Sequence, residues 1–304
     1  MTIEKDKNID ISLEEIILIF KDFKTTFFVF CLSSLVISSG ISLIINDKYK
    51  SEATLVSQYS DSSSLVNLAS NYGGLASLAG VDLPGSNIDR SLEGIELIKS
   101  FSFFERLSYK QDLFFSLMAV EGWNEENNIL LINEDIYDVE QEKWISKLPF
   151  SVNGKPSLQT AHKEFIERLS VAKEIDTGFV RISFIHYSPN ESKRFVQAII
   201  EEINEVSRQD EITRGENSLL FLRNELENSQ FVEIKNALNE LIAGQLERIM
   251  LANSSPNFLF KTLSPPYAPE EKDSPNRSLF VLMGLLLGIL LFVLYVFLAR
   301  LKGK

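Results

Sequence analysis

Cysteine is almost absent from this chain: 304 residues carry one thiol, and histidine occurs only twice. That scarcity excludes a disulfide framework, a cysteine-based zinc site and a histidine-rich metal centre. Positive charge is also in deficit, with 30 Lys and Arg against 42 Asp and Glu and a formal balance of −12. The sign is wrong for neutralising phosphates, so nucleic acid is not expected as a partner. Catalytic signatures are missing too: there is no GxxxxGK phosphate loop, no Gly-x-Ser-x-Gly elbow and no HExxH. His162, within a presumed helix face, and His186, at the end of a strand, have no ligand cluster around them in sequence and are read as structural. The acid pairs Glu125-Glu126 and Glu201-Glu202 could be offered as acid and base for sugar chemistry. Adjacent positions on an acidic chain mark solvated surface instead. No catalytic residue, cofactor or metal site is nominated, and the expectation is a protein that is not an enzyme.

What the sequence does contain is segregated. Residues 25–45 and 278–299 are uncharged runs of 21 and 22 residues within a chain that is 24% charged. As helices, both are long enough to cross a hydrocarbon core of about 30 Å. A cleavable signal is the other reading of the first run, but its leader, residues 1–24, holds six acids against four bases and its apolar stretch is too long. Arg300, Lys302 and Lys304 follow the second run without an acid, whereas Lys272 and Arg277 before it are mixed with Glu270, Glu271 and Asp273. By the distribution of basic flanks, the leader 1–24 and the tail 300–304 are cytoplasmic and residues 46–277 are exported. The exported part has 36 acids and 23 bases, and the sole cysteine, Cys31, lies in the first run.

Within the exported part, residues 49–59 alternate as a strand. Residues 65–83, rich in Gly, Ala, Ser and Leu, read as a loop with short helical pieces. Residues 91–107 have helical spacing, with Leu92, Ile95, Ile98 and Phe103 on one face, and helices are also expected over 137–148 and 157–169 with acidic loop between these segments. Residues 171–175 and 179–187 form a hairpin around Asp176-Thr177-Gly178. Ser188, Pro189 and Glu191 have the spacing of a helix start, and no strong breaker follows before residue 228. A helix over 189–228 would be roughly 60 Å long, too long for the interior of one compact domain. Its polar middle, 207–218, is expected to face solvent or sister subunits. A second helix over 232–252 could return beside it, and 258–263 reads as a closing strand. Residues 264–277 include Pro265, Pro266, Pro269 and Pro275 and end in Asn276 and Arg277. They read as a stiff, extended tether, or as a disordered linker.

Small residues mark the apolar runs. Gly284 and Gly288 form GxxxG in the second, and Ser34, Ser38 and Ser42 recur every fourth residue in the first. Each helix therefore has a face suited to close packing with a partner helix.

Several segments together resemble the Wzz/FepE family of polysaccharide chain-length determinants, also called polysaccharide co-polymerases. The most specific is LIAGQLERIMLANSSPNFLFKTLSPPYAPEEKDSPNRSL, with KYKSEATL, GLASLAG, SLEGIELIKSFSFFERL and TGFVRISFIHYSPNESKRFV in the same order as in the family. One departure is Ser264-Pro265-Pro266, where relatives commonly have Asp-Pro-Ala. The resemblance implies an α+β periplasmic domain with a long protruding helix, flanked by two transmembrane helices in a bacterial inner membrane. It also implies a homo-oligomeric ring that works with the O-antigen polymerase, and contact with the growing lipid-linked polysaccharide is a possible addition. The class resembled is the short one without a fused kinase, typical of lipopolysaccharide O-antigen length regulators. Regulation of capsule or exopolysaccharide length is the alternative within the family, and a periplasmic ligand sensor or a glycan-processing enzyme the alternative outside it.

Overall fold

The computed structural model describes residues 23–58, 90–110 and 112–302. The expected loop over 65–83 and nearly all of the leader lie outside the described residues. The chain divides into two compact units, one made of Met1–Asp47 with Asp273–Lys304 and the other of Lys48–Lys272.

The first unit opens with helix α1, Lys24–Ile44, whose residues are apolar almost throughout. The second unit begins with strand β1, Tyr49–Ser57, which buries Ser51, Ala53 and Leu55 on one side, as its alternating sequence dictates. Helices α2 (Arg90–Lys99) and α3 (Phe101–Ser108) replace the single helix expected over 91–107. The break comes from Ser100, whose hydroxyl accepts from Phe103 N at 3.2 Å and starts a new helix. Ile95, Ile98 and Phe103 enter the core as expected, but Leu92 is 51% exposed.

Residues 108–136, expected to be loop-like, instead form helix α4 (Leu113–Ala119) and the hairpin of β2 (Val120–Asn124) and β3 (Ile129–Ile132). The helix expected over 137–148 is also corrected. Strands β4 (Tyr137–Asp138) and β5 (Lys143–Trp144) pair there, with Tyr137 opposite Trp144 and their rings edge to face at 5.2 Å. The Asp138 carboxylate accepts from Gln141 N at 2.9 Å, an Asx-type turn that competes with helix, and the ring pair rewards the hairpin.

Helix α5 (Leu158–Arg168) starts at Ser157, whose hydroxyl accepts from Thr160 N. Strands β6 (Leu169–Lys173) and β7 (Val180–His186) form the expected hairpin, with Gly178 at φ +72°. Then comes α6, Pro189–Asn228, a single helix of 40 residues. Its start departs from the expected capping box. Ser188 makes no side-chain cap, and Glu191 accepts from Ser116 Oγ at 2.5 Å. Helix α7 (Val232–Ser254) packs along α6, and β8 (Phe260–Ser264) closes the sheet. Back in the first unit, α8 spans Arg277–Lys302.

The sheet has the order β6-β7-β1-β8, with every neighbour antiparallel. Its inner face, Leu55, Val180, Ile182 and Phe184, packs against Phe195, Val196, Ile199 and Ile203 from the first turns of α6, and Phe184 stacks on Phe195 at 4.3 Å. Buried polar groups fix this junction. Ser192 Oγ donates to Phe184 O at 2.7 Å and accepts from Ser51 N at 2.6 Å, tying α6 to both central strands.

Beyond this core, α6 keeps a partner along its length. Leu222, Leu238 and Leu241 form a second small cluster between α6 and α7. The polar middle, expected to face solvent or sister subunits, is instead partly covered within the unit: Glu211, Gly215 and Ser218 are buried. A Cβ on Gly215 would lie 2.7 Å from Ile249 Cγ1, so glycine permits the close approach of α7.

Candidate functional site

Within the first unit, α1 and α8 are both long and apolar enough to cross a membrane. Their small residues meet. A Cβ on Gly284 would lie 2.5 Å from Ser38 Cβ and 3.2 Å from Ser34 O, and one on Gly288 would lie 2.9 Å from Cys31 Cα and 3.1 Å from Phe30 O. Ser34 Oγ donates to Gly284 O at 2.6 Å, and Ser38 Oγ donates to Phe280 O. Two interhelical hydrogen bonds therefore accompany the close packing, each worth about 0.6 kcal/mol and at most about 1.7 in a membrane. Ser42 is buried further along α1, and its hydroxyl has no hydrogen-bond partner among the described residues. Towards the other end of α1, Phe27 meets Phe292 at 5.0 Å and Phe30 meets Tyr295 at 5.6 Å. Beside the small-residue contact lies an apolar groove of about 700 Å³ whose walls include Ile37, Ile41, Met283 and Leu287.

The entry to α8 is fastened by polar groups. Arg277 Nη2 lies 3.1 and 3.3 Å from the two carboxylate oxygens of Asp47, which follows α1. The Asn276 carbonyl accepts from Leu279 N and Phe280 N, and its side chain accepts from Ser278 Oγ at 2.7 Å. Pro265, Pro266, Pro269 and Pro275 lie in a stretch, 265–276, that forms neither helix nor strand, and the Ser274–Pro275 peptide is cis. In the second unit Ser51 Oγ donates to Tyr267 O at 2.7 Å, anchoring the start of that stretch to β1.

Two buried carboxylates on α6 were not visible as such in the sequence. Glu202, expected to mark solvated surface, is 0% exposed and meets Arg106 Nε at 2.9 Å and Lys110 Nζ. Glu211 meets Arg90 at 2.9 Å and Arg248 at 3.3 Å, joining α2, α6 and α7. Both take their meaning from cations more than 30 positions away, which no local pattern signals. Asn204 is a third such residue. Its amide oxygen accepts from Leu259 N and Phe260 N at 2.9 and 2.8 Å while its nitrogen donates to Phe260 O at 3.0 Å.

One cluster imitates a hydrolytic triad. Ser116 Oγ lies 3.3 Å from His186 Nε2 and 2.5 Å from Glu191 Oε2. The imidazole is held in the wrong tautomer for a base: Nδ1 accepts from Ser188 N at 3.1 Å, so Nε2 carries the proton and donates it to Ser116 O at 3.0 Å. Burial, with Arg168 and Arg194 adding to it, pushes the His186 pKa down to about 3, and the ring stays neutral. The trio therefore ties α4 to the start of α6 and cannot take a proton from Ser116. His162, the other histidine, bonds Lys99 O at 2.9 Å. Among the described residues no group of His, Cys, Asp and Glu is arranged to hold a metal ion.

A second groove, about 460 Å³, lies where α6 turns into α7, between Phe221, Glu225, Asn228, Gln230 and Phe231.

No family model matches the chain, and no curated protein matches it. Solved structures similar to it include a full-length bacterial polysaccharide co-polymerase, 11% identical with a TM-score of 0.41, over 96% of this chain and 98% of that one. A fragment of WzzB, a polysaccharide co-polymerase from Salmonella Typhimurium, is 13% identical with a TM-score of 0.31, covering 75% of this chain and 100% of that one. A mutant of the Shigella flexneri lipopolysaccharide O-antigen chain-length regulator WzzBSF is 10% identical with a TM-score of 0.25, over 75% and 100%.

Proposed function

We propose that this protein is a two-span inner-membrane regulator of polysaccharide chain length, setting how many O-antigen repeat units the polymerase adds during lipopolysaccharide biosynthesis. It acts as a scaffold built from several copies and not as a catalyst. The observation that carries the reading is how the family-like segments assemble. KYKSEATL supplies β1, and FLFKTL supplies β8 beside it. TGFVRISFIHYSPNESKRFV supplies β7, on the other side of β1, and runs straight into the 40-residue α6. Segments far apart in sequence thus form one sheet and launch one long helix. Their combined resemblance falls on a single structural element.

Leu220, Phe221, Val232, Met250 and Leu251 on α6 and α7, and Phe231 between them, leave apolar side chains exposed, which supports association of several copies along this hairpin. The close contact of Gly284 and Gly288 with α1 supports a span pair that moves as one element beside the polymerase. An acidic domain does not attract an acidic glycan by charge, so regulation runs through geometry. The test is a silver-stained gel of lipopolysaccharide from a deletion strain beside the complemented strain. Collapse of a modal ladder into a random one, restored by the gene, is expected. An unchanged ladder overturns the O-antigen assignment and directs the search to capsule and exopolysaccharide.

A further inference from the structure

The start of β1 and the end of β7 lie side by side, Tyr49 opposite His186, and this edge of the sheet gathers amphipathic rings. Tyr49 meets Trp123 of β2 edge to face at 5.4 Å. Tyr187 lies under two cations, with Lys48 Nζ 5.4 Å and Arg168 Cζ 5.3 Å from its ring centre. Trp123 Nε1 donates to Asn128 Oδ1 at 3.0 Å, and Asn190 Nδ2 donates to the same oxygen at 3.3 Å, so the β2–β3 hairpin is joined to the first turn of α6. On the open face of that hairpin Ile129 and Leu131 are 57% and 46% exposed. Soluble surfaces tolerate scattered apolar residues, but here Trp123 shares one face of the hairpin with Leu130 while Ile129 and Leu131 stand on the other, so both faces carry apolar side chains.

Covalent geometry limits where this edge can lie. As a membrane span, α1 has 21 residues and a length of roughly 31 Å, about that of the hydrocarbon core. From Ile44, its last residue, five peptide steps lead to Tyr49, and a fully extended chain covers at most about 18 Å in that distance. Tyrosine and tryptophan favour this depth, because their rings are apolar and their hydroxyl and indole N–H groups bond water, glycerol and headgroup oxygens.

We propose that the edge formed by Tyr49, Trp123 and Tyr187, with Ile129 and Leu131, is a lipid-interface surface that sits in the headgroup layer and sets the height and tilt of the second unit on the membrane. This rests on reading α1 and α8 as membrane spans. The partner is the zwitterionic headgroup and glycerol layer, and anionic lipid is not required. Of the basic groups near the edge, Arg168 is paired with Glu164, Arg194 with Glu191, and Lys48 lies over the Tyr187 ring, while Glu125 and Glu126 are exposed in the adjoining turn.

The chain has two tryptophans, which makes the surface measurable. The full-length Trp144→Phe protein, with Trp123 as its only tryptophan, is reconstituted into phosphatidylcholine vesicles brominated either near the headgroup end or near the terminus of the acyl chain. Trp123 is expected to lose most of its emission to the shallow bromines and less to the deep ones. It should resist aqueous iodide, and anionic lipid should change nothing. The same signal, read as wild type minus Trp123→Phe, guards against misfolding of the first variant. Emission indifferent to bromine and open to iodide overturns the proposal, as does deeper quenching from the chain ends or quenching that needs anionic lipid. Alkaline carbonate extraction separates the two levels: release of the protein sinks the span reading itself, while a retained protein with unquenched Trp123 sinks only the surface.

Discussion

Replacing Asn204 with leucine removes a side chain that satisfies the backbone at the entry to β8. Asn204, Leu259 and Phe260 are all buried, and the two backbone N–H groups share its amide oxygen while Phe260 O takes its nitrogen. Leucine has nearly the same volume and no polar atom, so packing is kept and two donors lose their acceptor. An orphaned buried group costs about 1–3 kcal/mol, which puts the two donors lost in Asn204→Leu at about 2–6 kcal/mol. For a unit of this size each kcal/mol lowers Tm by about 2–4 °C. Urea unfolding of the full-length protein in detergent, followed by circular dichroism, reads the change directly. A loss below about 1 kcal/mol would refute the idea that this asparagine holds β8 to the long helix.

Other consequences follow from the same contacts. Gly284→Leu and Gly288→Leu leave the protein in the membrane but change the ladder of chain lengths, because added side chains collide with Ser38 and the backbone of Cys31; an unchanged ladder sinks the role given to this contact. Glu211→Leu withdraws a carboxylate from two largely buried guanidiniums, Arg90 and Arg248, and costs about 3–5 kcal/mol by chemical denaturation. Glu202→Leu costs less, since Arg106 and Lys110 are half-exposed and turn to water; equal losses would contradict this ranking. His186 is neutral when folded, with a pKa of about 3 against an ordinary 6.5, so the unfolded chain binds the extra proton between these values. Stability is complete above pH 6.5 and falls by up to about 1.4 kcal/mol per unit below it. Glu174 and Glu205, held below the ordinary carboxylate pKa of 4.5 by hydrogen bonds from Arg181 and Arg208, lose their contribution only further down. His186→Asn should flatten the limb between pH 6.5 and 4.5, and an unaltered slope would contradict the assignment.

The parts of the fold legible in sequence were those set by local pattern. Length without charge marked α1 and α8, a glycine between two β-rich runs marked the β6–β7 hairpin, and Pro189 with no later breaker marked all of α6. What sequence spacing concealed depends on partners elsewhere. Ser100 splits α2 from α3 with one hydroxyl, and Tyr137 and Trp144 make a hairpin because their rings meet across it. Glu202 looked like surface because acids usually are, and Arg106 and Lys110, far away in sequence, offset the cost of its burial. The small residues Gly284, Gly288, Ser34 and Ser38 were visible as two stripes. That they face each other within one chain required the structure.

The most direct test of length control is reconstitution. O-antigen polymerase and lipid-linked repeat units are placed in proteoliposomes with and without this purified protein, and the glycan products are sized. A broad, random distribution that narrows to a modal length when the protein is present is the predicted result. Identical distributions in both preparations, with active polymerase, would contradict the account.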